Sequence, residues 1–351
     1  MFNQRNIRII IITIAMLLSL VVVSAQISLA REITDMTGQK VTIPDSINKV
    51  FAPSPYASYI MYTIDPAMLI SINLSHNVDK RYLPRAVQDL PVIGALTGQN
   101  QQANLEMVLK AKPDIAIMWS TKRSAVQGKV DEALKQLNLP LVYAVAESLN
   151  DYPDIYLFLG KILNREERTK RLSAYCQKTL SEVKNIVDRI PKAKRPTVYY
   201  AEGVDGLRTE CNDSMHAELL QLAGDTDVHR CHTASHQGME KISLEQITLY
   251  NPDVIIAQER VFYDKVYKDP AWQNIRAVRD KKVYLIPHIP LNWFDRPPSF
   301  MRILGLKWLV NILYREEYNI DIVKEARDFC RLFLDVELSE DEVKHLIYPG
   351  K

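Results

Sequence analysis

One segment of this chain combines the residue types that recognise a large, partly anionic ligand. Asn292-Trp293-Phe294-Asp295-Arg296 runs directly into Pro297-Pro298, which holds the backbone before the prolines extended and stiff. Trp293 and Phe294 offer flat apolar faces, and the Arg296 guanidinium is a fork suited to a carboxylate or an oxyanion. The alternative for the same residues is a core aromatic pair beside a salt-bridged arginine. Tyr56 falls at the end of a first strand and the start of a helix, where open α/β sheets place ligands. Tyr59 lies one turn later, and Tyr62 continues the stripe as packing. Trp119 closes an apolar strand at the same kind of edge. Glu202 and Arg208 follow the first strand of the second half, and Arg260 is a weaker candidate by the same geometry.

Four of the seven histidines, His216, His229, His232 and His236, crowd into one polar stretch that also holds Cys211 and Cys231. Their spacing fits no standard structural zinc pattern, so hydrogen-bonding loop histidines are expected and no metal site is assigned. Four cysteines allow three full pairings. Cys211 and Cys231 are the favoured disulfide because both lie in loop-like sequence, whereas Cys176 and Cys330 sit on helical patterns as buried thiols. There is no glycine-rich phosphate loop, no Gly-x-Ser-x-Gly and no His-Glu-x-x-His. Only 11 of the 351 residues are glycine. No resident cofactor is expected.

The elements that must position these residues are written twice. Asn104-Leu105-Glu106-Met107-Val108 with Pro113-Asp114-Ile115-Ala116-Ile117 returns as Ser243-Leu244-Glu245-Gln246-Ile247 with Pro252-Asp253-Val254-Ile255-Ile256, at a constant offset of 139 residues. Each copy reads as polar cap, short amphipathic helix, X-Pro stop and apolar strand, so two similar lobes with a cleft between them are predicted. Glu106 and Glu245 occupy matching first-turn positions, where an acid favours the helix dipole. Short apolar runs at residues 49–52, 69–73, 114–119 and 140–145 alternate with helical patterns, which predicts an α/β lobe over 31–164 with a mostly parallel sheet. Residues 165–191 contain a long amphipathic pattern free of glycine and read as one helix bridging the lobes. A second α/β lobe over 192–351 starts with a strand at 197–201, continues to a strand at 284–287, and closes with helices at 299–314 and 322–334.

Residues 1–30 read as a cleaved secretory leader: Arg5 and Arg8, an apolar run, then Ser28-Leu29-Ala30. Removing them takes away two arginines and no acid, leaving 42 side chains of each sign. A neutral, interspersed surface has no reason to bind nucleic acid.

Taken together, the order of leader, α/β lobe, long helix and α/β lobe resembles the class III periplasmic substrate-binding proteins of ABC importers. Three segments carry the resemblance. The first is Arg31-Glu32-Ile33-Thr34-Asp35-Met36-Thr37-Gly38 with Val41-Thr42-Ile43-Pro44. The second is the pair of Leu-Glu helices with Pro-Asp stops. The third is Asn292-Trp293-Phe294-Asp295-Arg296, similar to the aromatic-acid-arginine segment of the cobalamin-binding member. Ile64-Asp65 departs from the family, which commonly ends its first helix with glycine. The resemblance implies a non-catalytic, monomeric periplasmic protein that captures a metal complex of the ferric siderophore, haem or cobalamin type. Its alternatives are molybdate or tungstate oxyanion and a free transition-metal ion. The resemblance also implies that Glu106 and Glu245 dock on arginines of an ABC permease dimer in the inner membrane. A reading from another class is a secreted enzyme on the same scaffold, with acids such as Asp205 and Glu210.

Overall fold

The computed structural model describes residues 30–73, 80–96, 103–121, 127–231 and 239–348. The leader expected over residues 1–30, apart from Ala30, lies outside the described residues, as do His232 and His236.

The described chain opens with an antiparallel pair, β1 (Ala30–Thr34) and β2 (Lys40–Pro44). Asp35 turns the hairpin by accepting from the Thr37 and Gln39 amides at 2.9 and 3.0 Å. Its other oxygen accepts from the Tyr143 amide at 3.2 Å, which ties the hairpin to the first sheet. That sheet is parallel, with β4 (Ile115–Ser120) between β3 (Val50–Phe51) and β5 (Leu141–Val145). The second sheet is also parallel. Here β9 (Val254–Ala257) lies between β6 (Val198–Ala201) and β10 (Val283–Leu285). A small antiparallel pair, β7 (Arg208–Thr209) and β8 (Glu240–Lys241), stands beside it. The central strands are buried on both faces, which is why they read as unbroken apolar runs rather than alternating ones.

The run at residues 69–73 is not a strand. It makes only single bridges, Val50 to Leu69 and Ile72 to Val92. Here a side chain takes the place of a ladder: Asn73 Nδ2 donates to the Ala52 carbonyl at 2.5 Å and to Ser58 Oγ at 3.1 Å.

The sequence repeat is a structural repeat down to its hydrogen bonds. Helix α2 (Leu105–Ala111) is capped by Asn104 and helix α5 (Leu244–Tyr250) by Ser243, each side chain accepting from the amide three residues on. Lys112 and Asn251 end these helices in the left-handed conformation, at φ 51° and 41°. The aspartate of each Pro-Asp stop then clamps the first strand of its sheet. Asp114 Oδ2 accepts from the Asn48 and Lys49 amides, and Asp253 Oδ2 from the Thr197 amide and hydroxyl.

Helix α1 (Pro55–Ile64) follows β3, and α3 (Tyr152–Leu163) follows β5. The bridging helix α4 (Glu166–Arg189) is 24 residues long and turns Leu172, Cys176, Thr179, Val183 and Val187 inward at helical spacing. It packs hard on α3: a Cβ at Gly160 would collide with Thr169 Oγ1. Three helices close the chain, α6 (Met301–Leu313), α7 (Ile322–Leu334) and α8 (Glu340–Ile347). The sequence reading has no counterpart to α8, although its Ser339/Glu342 capping box is a legible start signal. Helix α7 returns to the first lobe. Phe333 stacks on Phe329 and Phe300 and meets Tyr156 of α3 edge-on, and its carbonyl accepts from Arg168. One apolar core therefore runs from the first sheet through α4 into the second lobe.

Candidate functional site

The carboxyl end of the first sheet opens on a cavity of about 240 Å³ whose other wall comes from the second lobe. From the first lobe it is lined by Tyr56, Trp119, Ser120, Ser148 and Tyr152, and from the second by Met215, Glu218, Pro298 and Arg302. Each first-lobe residue has a local reason to be there. Ser54 caps α1, accepting from the Ala57 amide at 3.2 Å, and Pro55 opens the helix, which leaves Tyr56 in its first turn. Trp119 and Ser120 are the last residues of β4. Ser148 caps the turn leading into α3, and Tyr152 is the first residue of that helix. The Trp119 and Tyr152 rings meet edge-on, centroids 5.3 Å apart.

Arg302 is the charged centre of this wall and is only 4% exposed. Its Nε donates to the Phe294 carbonyl at 3.0 Å, and its Nη2 donates to Glu218 Oε2 at 2.6 Å and the Met215 carbonyl at 3.3 Å. Glu218 Oε1 accepts from the Leu149 amide of the other lobe at 2.7 Å. Burial opposes the arginine's charge, but Glu218, Tyr152 and Asp295 together outweigh it and its pKa rises. Among the described residues, Nη1 of Arg302 and the hydroxyls of Tyr56 and Tyr152 have no hydrogen-bond partner. Burial, and then the Asp295 charge, raise the Tyr56 pKa; burial raises that of Tyr152. Both phenols are therefore protonated donors at neutral pH.

Behind the cavity stands a denser charge network. Arg296 is 27% exposed and its Nε donates to Glu202 Oε1 at 2.8 Å. Its Nη2 pairs with Glu210, and Asp295 Oδ2 lies 3.5 Å from Nε. Asp295 also accepts from the Tyr200 hydroxyl at 2.6 Å and faces His216 Nδ1 at 2.5 Å. Three buried carboxyl groups, of Glu202, Glu210 and Asp295, crowd around the one guanidinium, and Asp295 alone also faces the imidazole. Burial pushes the Glu202 carboxyl up to about 8, against the Arg296 hydrogen bond.

Of the residues singled out from sequence, the cavity brings together Tyr56 and Trp119. Trp293 and Phe294 are 1% and 0% exposed and do not line it. The ring N–H of Trp293 donates to the Ile289 carbonyl at 3.0 Å, and Phe294 packs on Tyr200. The helix behind them comes so close that a Cβ at Gly305 would collide with the Trp293 carbonyl oxygen. The expected aromatic ligand wall is thus core packing, and Arg296 is the salt-bridged arginine of the alternative reading. Glu202 is its buried partner. Arg208 is exposed on the β7–β8 pair, and Arg260 is exposed and bound to Asp264. Glu106 and Glu245 are both exposed on the first turns of α2 and α5. Cys211 and Cys231 form a disulfide with a Cα separation of 5.3 Å, while Cys176 and Cys330 are buried thiols.

Arg302, Glu218, Tyr152 and Ser148 escaped the sequence reading. A signal existed for Arg302: it is a lone arginine in the otherwise apolar Met301-Arg302-Ile303-Leu304, and a charge so placed must be paired inside the fold. Tyr152 follows the same strand-edge rule that found Tyr56.

A family model described as periplasmic binding protein matches residues 76–290, more than half of the chain. The chain belongs to the periplasmic binding protein family. Among curated proteins it is similar to the molybdate-binding protein MolA of Haemophilus influenzae, 27% identical over 89% of this chain and 93% of that protein. It is also similar to the high-affinity heme uptake system protein IsdE of Staphylococcus aureus, 24% identical over 59% of this chain and 70% of that protein. Among solved structures, an ABC transporter solute binding protein from Sulfurospirillum deleyianum superposes with a TM-score of 0.83. That protein is 37% identical, with 90% of this chain and 98% of the other covered. The expectation of a two-lobed α/β periplasmic binding protein is thereby met. No helix among the described residues is long and apolar enough to cross a membrane.

Proposed function

We propose that this periplasmic binding protein captures a metal oxyanion of the molybdate or tungstate class between its lobes and delivers it to the permease of an ABC importer. The observation that carries the reading is the convergence of Tyr56, Tyr152 and Arg302 on a cavity of about 240 Å³. A tetrahedral oxyanion presents several acceptor oxygens in a small volume and is best held by directed donors from more than one side. Two protonated phenols from the first lobe and the remaining arm of Arg302 from the second supply such donors. Glu218 already balances Arg302, so selection falls to donor geometry rather than excess positive charge. A drug-sized ligand takes roughly 300–1,000 Å³, which favours the smaller class. The likeness to a molybdate-binding protein along most of the chain points the same way.

The metal-complex reading keeps one observation of its own: Met118, Trp119 and Pro298 give the cavity an apolar side. Relatives named for haem and Fe(3+)-citrate belong to the same family. In either case the protein acts as a monomeric carrier that returns its ligand unchanged, not as an enzyme. Residues 1–30 act as a cleaved leader, and Glu106 and Glu245 dock on the permease.

Calorimetric titration of the leaderless protein with molybdate, tungstate, sulfate, a ferric siderophore, haem and cobalamin tests this. One molybdate or tungstate per chain, with sulfate far weaker, is expected. Binding of a chelate with no heat from either oxyanion would replace this reading with the second.

A further inference from the structure

Away from the cavity, four side chains with metal-ligating atoms meet beside the β7–β8 pair. Cys211 Sγ, Cys231 Sγ, His229 and a Glu240 oxygen lie within 4.8 Å of one another. Glu240 Oε1 stands 3.5 Å from Cys211 Sγ, and Oε2 stands 3.6 Å from Cys231 Sγ. A disulfide has no hydrogen to offer, so this carboxylate faces two sulfurs that cannot donate to it. Among the described residues, His229 Nε2, 3.0 Å from Oε2, is the group that can do so.

Hydrogen bonds, apart from the sulfur–sulfur link, fix His229 and the backbone at Cys231. His229 Nδ1 meets the Tyr250 hydroxyl at 3.1 Å, which turns Nε2 into the cluster. A metal-ligating histidine is commonly oriented by such an outer partner on its second nitrogen. The His229 amide donates to Asp227 Oδ1 at 2.9 Å, and its carbonyl accepts from the Asn212 amide at 3.0 Å. Asn212 Oδ1 accepts in turn from the Cys231 amide at 3.2 Å. The backbone beside each cysteine is therefore fixed by its own hydrogen bonds.

We propose that the cluster is a redox-exchangeable staple: when the disulfide is reduced, Cys211, Cys231, His229 and Glu240 bind one Zn²⁺ ion. Reduction by a dithiol delivers two electrons and two protons to the sulfurs, and the donor leaves as its own disulfide. Zn²⁺ then displaces both thiol protons, leaving two thiolates, a neutral imidazole and a carboxylate around the ion. Two sulfurs, one nitrogen and one oxygen make a tetrahedral set that suits zinc. Zn–S of about 2.3 Å and Zn–N of about 2.0 Å separate the ligand atoms by about 3–4 Å. The Glu240 oxygens already stand 3.5 and 3.6 Å from the sulfurs and 3.0 Å from His229 Nε2, while the two sulfurs must move apart from bonding distance once reduced. The ion closes the same chain segment as the disulfide, which joins residues 20 apart, so the fold keeps its clamp in either redox state. The proposal does not depend on what the cavity binds.

The test uses the whole protein, reduced with a phosphine without oxygen and titrated with Zn²⁺ and, in parallel, with Co²⁺. One equivalent per reduced chain is expected, with thiolate-to-cobalt charge transfer and tetrahedral d–d absorption. Zinc should raise the melting temperature of the reduced protein and leave that of the oxidised protein unmoved. His229→Ala and Glu240→Gln should each weaken zinc by about tenfold or more. The oxidised form of each variant should melt like wild type, which separates a lost ligand from a lost fold. The proposal fails if the reduced protein takes up no stoichiometric zinc, if the oxidised protein binds it as tightly, or if both variants keep full affinity.

Discussion

At the scale of single residues, the cavity and the network behind it do different work. Tyr56 and Tyr152 present hydroxyls with no partner among the described residues, so removing either should cost affinity and little stability. A hydrogen bond to a charged group contributes about 1.5–3 kcal/mol, so Tyr56→Phe and Tyr152→Phe should each weaken ligand binding about tenfold or more. Calorimetry beside a thermal melt checks this; unchanged affinity in both variants would place the ligand elsewhere. Two buried carboxyls, Glu202 of the network and Asp227 beside His229, should instead be read through pH. Burial raises the Glu202 carboxyl from 4.5 to about 8 and the Asp227 carboxyl from 3.8 to about 7. Across those windows the native state holds protons that the unfolded chain has already released. Their contribution to stability is thus full below the ordinary carboxylate range and is lost as pH rises through the folded values. Denaturation midpoints should fall as pH rises toward about 8, and Glu202→Gln should flatten the upper part of that slope. A parallel slope in the variant would remove Glu202 as its origin.

At the scale of elements, the duplicated helix-stop-strand unit sets one acidic helix tip on each lobe. Asn104 and Ser243 cap α2 and α5 identically, and Asp114 and Asp253 clamp the strands alike, so Glu106 and Glu245 stand in equivalent frames. Both are exposed and neither lines the cavity. Reversing both charges, Glu106→Arg with Glu245→Arg, should therefore abolish transport in reconstituted membranes while leaving ligand affinity intact. Lost affinity would mean that the tips support the cavity. Retained transport would remove them from docking. The interaction should also weaken with added salt, because exposed charge pairs are screened.

At the scale of the whole molecule, α4 and the returning helix α7 make the two sheets one packed body. The apolar core continues across the lobes, and the Glu218 carboxylate bridges them by taking one bond from Arg302 and one from the Leu149 amide. A wide hinge opening would have to break that core and leave a buried charge uncompensated. Small-angle scattering of ligand-free and loaded protein should therefore give nearly superimposable curves. A clear contraction on loading would show that the lobes swing.

How much of this was legible in the sequence depends on the range of the interactions involved. Local patterns were enough for the doubled helix-stop-strand unit, the parallel α/β lobes, the long bridging helix and the Cys211–Cys231 pair. Caps, prolines and apolar periodicity act within a few residues, and a disulfide between loop cysteines needs no deep burial. Tyr56 and Trp119 were also found this way, because a strand's carboxyl edge follows from the strand itself. What tertiary structure decided was which polar and aromatic groups face the cavity. Trp293, Phe294 and Arg296 have the composition of a ligand wall, yet the approach of Gly305 and the three carboxylates around Arg296 turn them inward. Arg302 looked like part of a closing helix until Glu218 and Tyr152, distant in sequence, were set beside it. The direction a side chain takes depends on partners that only the folded chain brings within reach, and local sequence carries no record of them.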